Sequence, residues 1–231
     1  MVSTKKSIQH VRQSDKGRNC GAACLSMLLR SYKKTGKMAE ITDHISRTLD
    51  NGSKSCRTSL MIKYAESKGL LCCAVSVSDI RETIARCLEN NIDIIVSYHP
   101  SLDNPWGHFS VVTGYDEDSV YVNDPAKDSS EGANRRILFT ELDKLMAPGR
   151  DLSEINQKNT VILLADKKMN PERIELPSIV GNATPVYVFS CVFDEVLAYV
   201  DPNPPNGVWL RISRREENAL RSSTASGNTG N

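Results

Sequence analysis

The sequence predicts an α+β fold, with N-terminal helices packed on an antiparallel β-sheet and a small β-rich extension at the C-terminus. Three observations predict it. Apolar residues in the first ninety positions recur at helical spacing. From Ile92 to Ala165 the apolar runs are instead short, rich in β-branched residues and separated by turn sequences. After Asp166 a polar, proline-interrupted stretch leads into further alternating runs. The expected organisation is a domain over 1–166, an extension or small lobe over 167–215, and a disordered tail over 216–231.

The first helix starts at Cys20, with Asn19 in place to cap it. Gly21, Cys24, Leu25, Leu28 and Tyr32 then share one face. A second helix fits 38–49, with Met38, Ile41, Ile45 and Leu49 inward. A third fits 58–68 and stops at Gly69, a residue suited to the position after a helix end. Residues 70–75 read as a strand. Ser78 can cap a helix through about Asn90 that buries Ile80, Ile84, Cys87 and Leu88. Residues 92–98 form the next strand. HFSVVTGY and SVYVND flank an acidic turn and make a hairpin over 107–126. Residues 135–139 add a strand, and Thr140 with Asp143 precedes a short helix to Met146. After a loop, 160–165 returns to the sheet. In the extension, 185–192 and 195–201 suggest a second hairpin, with one more strand at 208–213.

Composition excludes several function classes. Charged residues make up 25% and hydrophobic residues 39%, which is ordinary for a soluble globular chain. Lysine plus arginine (29) against aspartate plus glutamate (28) leaves a net charge of +1, so no basic field points to nucleic acid. No apolar run approaches the ~18 residues of a membrane span, and the first residues lack the apolar core of a secretory signal. The seven cysteines include the adjacent pair Cys72-Cys73 and no C-x-x-C. That reads as a reduced, cytoplasmic protein without a zinc ribbon, and neither metal nor organic cofactor is expected. Export as an effector without a cleavable signal stays open, as does the oligomeric state.

The chemistry concentrates in three places. Cys20 sits at the start of a helix behind the polar stretch SDKGRN, where unpaired N–H groups and the helix dipole favour a thiolate. In the 107–126 hairpin, His108 lies eight residues before Asp116 and Asp124 eight after it. A turn centred there puts His108 and Asp124 side by side at the open end, and a slip of two leaves them diagonal neighbours. A carboxylate beside an imidazole fixes its tautomer and stabilises its charged form. Gln13, upstream of Cys20, offers a side-chain amide that can face a developing oxyanion together with the Cys20 N–H. Cys24 and Cys87 read as core thiols. His10, His44 and His99 read as surface or hydrogen-bonded histidines, with His99 at the start of the loop that leads to His108.

These motifs, Q-S-D…N-C-G-A-A-C-L-S-M-L, W-G-H-F-S-V-V-T-G-Y and V-Y-V-N-D-P-A, resemble the papain-like peptidase domain that processes double-glycine leader peptides of bacteriocins. The resemblance spans roughly residues 7–147. It implies a papain-like cysteine peptidase fold, Cys20 as nucleophile, His108 as general base and acid, Asp124 as orienting carboxylate and Gln13 as oxyanion donor. It also implies small residues, such as Gly-Gly, before the cut. Gln13 lies seven residues before Cys20 where the family usually has six, which leaves another group such as Asn19 open as donor. The partner expected is a peptide or protein substrate. Two alternatives use the same residues: acyl transfer to an amine or thiol in place of water, and a cleft that binds a peptide without cutting it.

Overall fold

A computed structural model of the chain describes residues 4–14, 18–48, 54–77, 79–103, 107–146, 160–166, 184–187, 197–199 and 210–212. The expected tail over 216–231 lies outside them.

The elements run β1 (Thr4–Lys5), α1 (Cys20–Ser31), α2 (Met38–Ile45), β2 (Ser46–Thr48), β3 (Lys54–Cys56), α3 (Thr58–Ser67), β4 (Leu70–Ser76), α4 (Ile80–Glu89) and β5 (Asp93–Tyr98). They continue with β6 (His108–Tyr115), β7 (Ser119–Asn123), α5 (Ser129–Gly132), β8 (Arg135–Leu138), α6 (Phe139–Leu145), β9 (Thr160–Asp166), β10 (Thr184–Tyr187), β11 (Leu197–Tyr199) and β12 (Leu210–Ile212). The main sheet is ordered β10-β4-β9-β5-β6-β7-β8, with β1 added along β6, and each pairing in it is antiparallel.

The central strands are buried on both faces, because side chains alternate between two cores. One core packs α1, α2 and α3 on Ala74, Ile95, Val111, Ile162 and Leu164. The other packs α4 and α6 on Ile94, Val96, Val112, Val161 and Leu163. The near-continuous apolar runs IDIIV and TVILLA follow from this two-sided burial. Helix α1 is buried almost all round, from Cys20 to Leu29, so it carries more than one apolar stripe. Its slim first turn is required: a Cβ on Gly21 would lie 2.8 Å from Met61 Sδ and 3.2 Å from Cys56 Cβ.

Several local expectations are corrected. Helix α2 stops at Ile45 instead of reaching Leu49, because Ser46 turns to extended backbone and 46–48 pair with 54–56. Asp79, not Ser78, caps α4: its side chain accepts from the Glu82 N–H at 2.9 Å. Asn19 holds the cap position of α1, but its side chain makes no cap bond. Its Oδ1 accepts from the Ser14 N–H at 3.1 Å, and its Nδ2 donates to Thr42 Oγ1 at 3.5 Å. Helix α6 opens at Phe139, so Thr140 lies inside it. Gly69 does end α3 in the left-handed region, at φ +78°. In the extension, Thr184–Tyr187 lies along β4 and β11 pairs with β12; the expected hairpin of 185–192 with 195–201 falls mostly outside the described residues.

Two ties hold the N-terminal segment down. Lys6 Nζ donates to Asp93 Oδ1 at 2.7 Å, and Tyr32 Oη donates to Asp93 Oδ2, so the buried carboxylate at the start of β5 joins the first strand to the end of α1. Further along, Asn123 Nδ2 donates to the Ile8 carbonyl at 2.8 Å, and the Gln13 N–H donates to the Pro125 carbonyl at 2.8 Å.

Candidate active site

His108 opens β6, and Asp124 follows directly on β7. The ladder pairs Val111 with Asn123, and a shift between Val112 and Gly114 re-sets the pairing towards the turn. Continued by one step, it sets Asp124 level with Ser110, two residues from His108 on the same face. The two side chains are thus diagonal neighbours, and they meet: His108 Nε2 lies 2.7 Å from Asp124 Oδ1. Both residues are buried, at 6% and 2% exposure, so the contact is shielded from water.

Asp124 is saturated with donors. Its Oδ1 also accepts from the Ala126 N–H at 3.0 Å, and its Oδ2 accepts from Arg135 Nη1 at 2.7 Å. Burial disfavours its charge, but the bonds from His108, Ala126 and Arg135 outweigh that and hold its carboxyl well below the usual range. Its backbone is fixed as well. The carbonyl lies 2.8 Å from His10 Nε2, and the N–H donates to the Gly132 carbonyl at 2.9 Å. His10 Nδ1 in turn meets Ser129 Oγ at 3.0 Å. Gly132 is needed here, because a Cβ would come 2.5 Å from the Asp124 carbonyl oxygen and 2.7 Å from His10 Nε2.

Cys20 is the first residue of α1 and 7% exposed. Its thiol lies close enough to His108 to act on the imidazole. With Nε2 committed to Asp124, Nδ1 is the ring nitrogen left for the sulfur. Burial opposes charge on the imidazole, yet Asp124 on one side and Cys20 on the other push His108 up to about 9. The edge of its ring faces Tyr98, with centroids 5.4 Å apart and planes at 82°. Tyr98 Oη is itself held at 2.9 Å from Ser110 Oγ. An imidazole fixed by a carboxylate, beside a thiol at a helix N-terminus, is an arrangement that can generate a thiolate and deliver a proton.

Of the four residues singled out from the sequence, Cys20, His108 and Asp124 therefore come together. Gln13 is brought to the same loop through its backbone bond to Pro125, and its Oε1 is buried without a hydrogen-bond partner among the described residues. Asn19, the other candidate donor, has its amide committed to Thr42. Arg135 and His10 were not foreseeable as partners of Asp124. Arg135 arrives across an eleven-residue interval through the pairing of Val122 with Arg135, and no local motif marks either residue.

The model of the peptidase C39 family matches residues 7–140, more than half of the chain. The chain belongs to the peptidase C39 family. It is a cysteine peptidase, as the three motifs imply. Solved structures of peptidases share its fold. A C39-like peptidase from Bacillus anthracis aligns at TM-score 0.54 and 14% identity, covering 72% of this chain and 99% of that one. The peptidase domain of Streptococcus ComA, a bi-functional ABC transporter of a quorum-sensing pathway, aligns at TM-score 0.51 and 17% identity, covering 69% and 99%. A search of curated proteins finds no match. Among the described residues of this C39 peptidase, no helix is long and apolar enough to cross a membrane.

Proposed function

We propose that this C39 peptidase cleaves a leader peptide after a double-glycine pair, with Cys20 as nucleophile, His108 as general base and acid, and Asp124 as the carboxylate that orients His108. One observation carries the reading: a single buried imidazole bonds to the Asp124 carboxylate at 2.7 Å and has the Cys20 thiol beside it. The Cys20 thiolate adds to the peptide carbonyl, and the first N–H of α1 and the Gln13 amide stabilise the oxyanion. The imidazolium then protonates the leaving amine, which departs and leaves a thioester. Water gives a proton to the same imidazole, attacks the thioester and regenerates the thiolate. Family membership supports the double-glycine preference. The catalytic unit comprises residues 1–166, with 167–215 as an extension.

The test is cleavage of a synthetic leader peptide ending in Gly-Gly, read by mass, with the Gly-Gly pair and Cys20 varied separately. Cleavage with gain of one water, lost in Cys20→Ala and in a Leu-Leu substrate, supports the whole reading. Activity that survives Cys20→Ala refutes the nucleophile. A product carrying an added amine instead of water assigns acyl transfer.

A further inference from the structure

Cys56 stands beside the nucleophile, outside the machinery described above. It ends β3, is half-buried, and carries a free thiol. Its sulfur donates to the Arg18 carbonyl at 3.2 Å and lies near the N–H groups of Gly21 and Ala22. A sulfur bonded to residue 18 and near the backbone of residues 21 and 22 brackets residue 20. Its Cβ is 3.2 Å from the position a Cβ would take on Gly21, so the backbones approach closely. The two thiols are near enough that charge on Cys20 acts on Cys56. By contrast Cys24, one turn along α1, is fully buried and cannot easily bridge to Cys20. Residues four apart on a helix hold their Cβ atoms ~5–6 Å apart, whereas a disulfide needs about 3.5–4.5 Å.

We propose that Cys20 and Cys56 form a reversible disulfide that switches the peptidase off under peroxide stress. This rests on Cys20 being the nucleophile. The Cys20 thiolate attacks one oxygen of hydrogen peroxide; the O–O bond breaks, and hydroxide leaves and is protonated to water. Cys20 is then a sulfenic acid. The Cys56 sulfur attacks it, the S–O bond breaks, and the departing hydroxide takes the Cys56 proton as a second water. Two thiols have lost two electrons and two protons, and the peroxide has gained them. A dithiol reductant returns both cysteines to thiols by thiol–disulfide exchange and is itself oxidised to a disulfide. Forming the bond withdraws the Cys20 sulfur from His108 and blocks its further oxidation to sulfinic acid, which thiols do not reverse.

The experiment treats the full chain with hydrogen peroxide and then with dithiothreitol, comparing wild type with Cys56→Ser. The serine hydroxyl can keep the bond to Arg18. Each protein is scored against its own reduced activity. In the wild type, peroxide abolishes cleavage, the mass falls by two hydrogens, fragmentation of the linked peptides reads Cys20 joined to Cys56, and dithiothreitol restores activity. In Cys56→Ser, activity is lost and does not return. Absence of the Cys20–Cys56 link in the wild type, a link to Cys24 instead, or full recovery of Cys56→Ser overturns the proposal. If the link forms and cleavage persists, both the switch and the nucleophile reading fall. If Cys20→Ala is inactive but no link forms, only the switch falls.

Discussion

Arg135 donates to Asp124 at 2.7 Å, on the carboxylate oxygen that His108 leaves vacant. The guanidinium thereby sets the plane of the carboxylate, and the plane sets the direction in which His108 is held. Removing it frees one oxygen but leaves the His108 and Ala126 bonds in place. Arg135 is part-exposed, which limits the effect. We expect Arg135→Ala to lower kcat/KM by roughly three- to thirtyfold, equal to ~0.7–2 kcal/mol of transition-state stabilisation. Arg135→Lys should recover part of this. Asp124→Asn, which removes the charge itself, should cost about 10³–10⁴-fold. Steady-state kinetics on one leader substrate rank the three, and an Arg135→Ala enzyme as slow as Asp124→Asn contradicts the assignment.

His108 gives the site a basic limit. Its folded value of about 9 lies above the ordinary histidine value near 6.5. The charged imidazole therefore stabilises the fold fully below about pH 6.5; that contribution declines as pH rises and is gone once pH passes about 9. In kinetics the same loss of the proton appears as a fall of kcat/KM with a midpoint near pH 9. Asp124 has the opposite sign: its depressed value adds stability above the ordinary carboxylate range near 3.9, lost as pH falls. Urea unfolding of wild type against His108→Gln across pH 6–10 isolates the histidine. A difference between the two that does not shrink with rising pH contradicts the coupling.

Gly132 bears on the site without touching substrate. A methyl group there meets backbone, the Asp124 carbonyl oxygen at 2.5 Å, and that oxygen cannot swing aside as a side-chain tip would. Gly132→Ala should push the Asp124 loop off its bond to His10. Overpacking of this kind costs ~1–3 kcal/mol of stability, and the displaced carboxylate should lower kcat more than KM. The measurement is a melting curve beside the kcat and KM values. A variant with native melting and native kcat shows the loop to be compliant.

Asp93 makes a separate prediction about stability. Tyr32→Phe removes the phenol that donates to a buried carboxylate, leaving Oδ2 without its strongest donor. The expected loss is about 1–3 kcal/mol. Lys6→Met should cost less, because Lys6 is part-exposed and water can replace it. Equilibrium unfolding in urea measures both, and equal losses contradict the difference in burial.

Sequence alone picked out three residues that the fold brings together, because chemistry and spacing coincide there. Cys20 marks a helix start, and the hairpin places His108 and Asp124 within reach of each other in the expected register and after a slip of two. The register itself differs: the turn closes between Asp116 and Ser119, further along than expected, and the irregularity at Val112–Gly114 takes one residue back, which leaves Asp124 level with Ser110, not His108. The two residues still meet as diagonal neighbours, since period-two alternation keeps them on one face. Arg135, His10 and Cys56 are a different matter. Each reaches the site through a tertiary pairing, β8 on β7, the N-terminal segment on the Asp124 loop, and β3 beside α1, and none leaves a periodic trace. The ends of α2 and α4 show the same limit on a smaller scale. Ser46 and Asp79 choose their roles from competing local bonds that the sequence presents as near-equal options.

Strand β9 has a consequence for biogenesis. β4 pairs with β9 and β10, β5 pairs with β9 and β6, and β4 and β5 do not pair with each other. Among the described residues, the two halves of the sheet are joined by residues 160–166, which the ribosome makes after every catalytic candidate. A nascent chain that already carries Cys20, His108 and Asp124 thus has its two half-sheets unjoined until that last central strand emerges. Completing the sheet therefore waits on residues that follow Cys20, His108 and Asp124 in the chain.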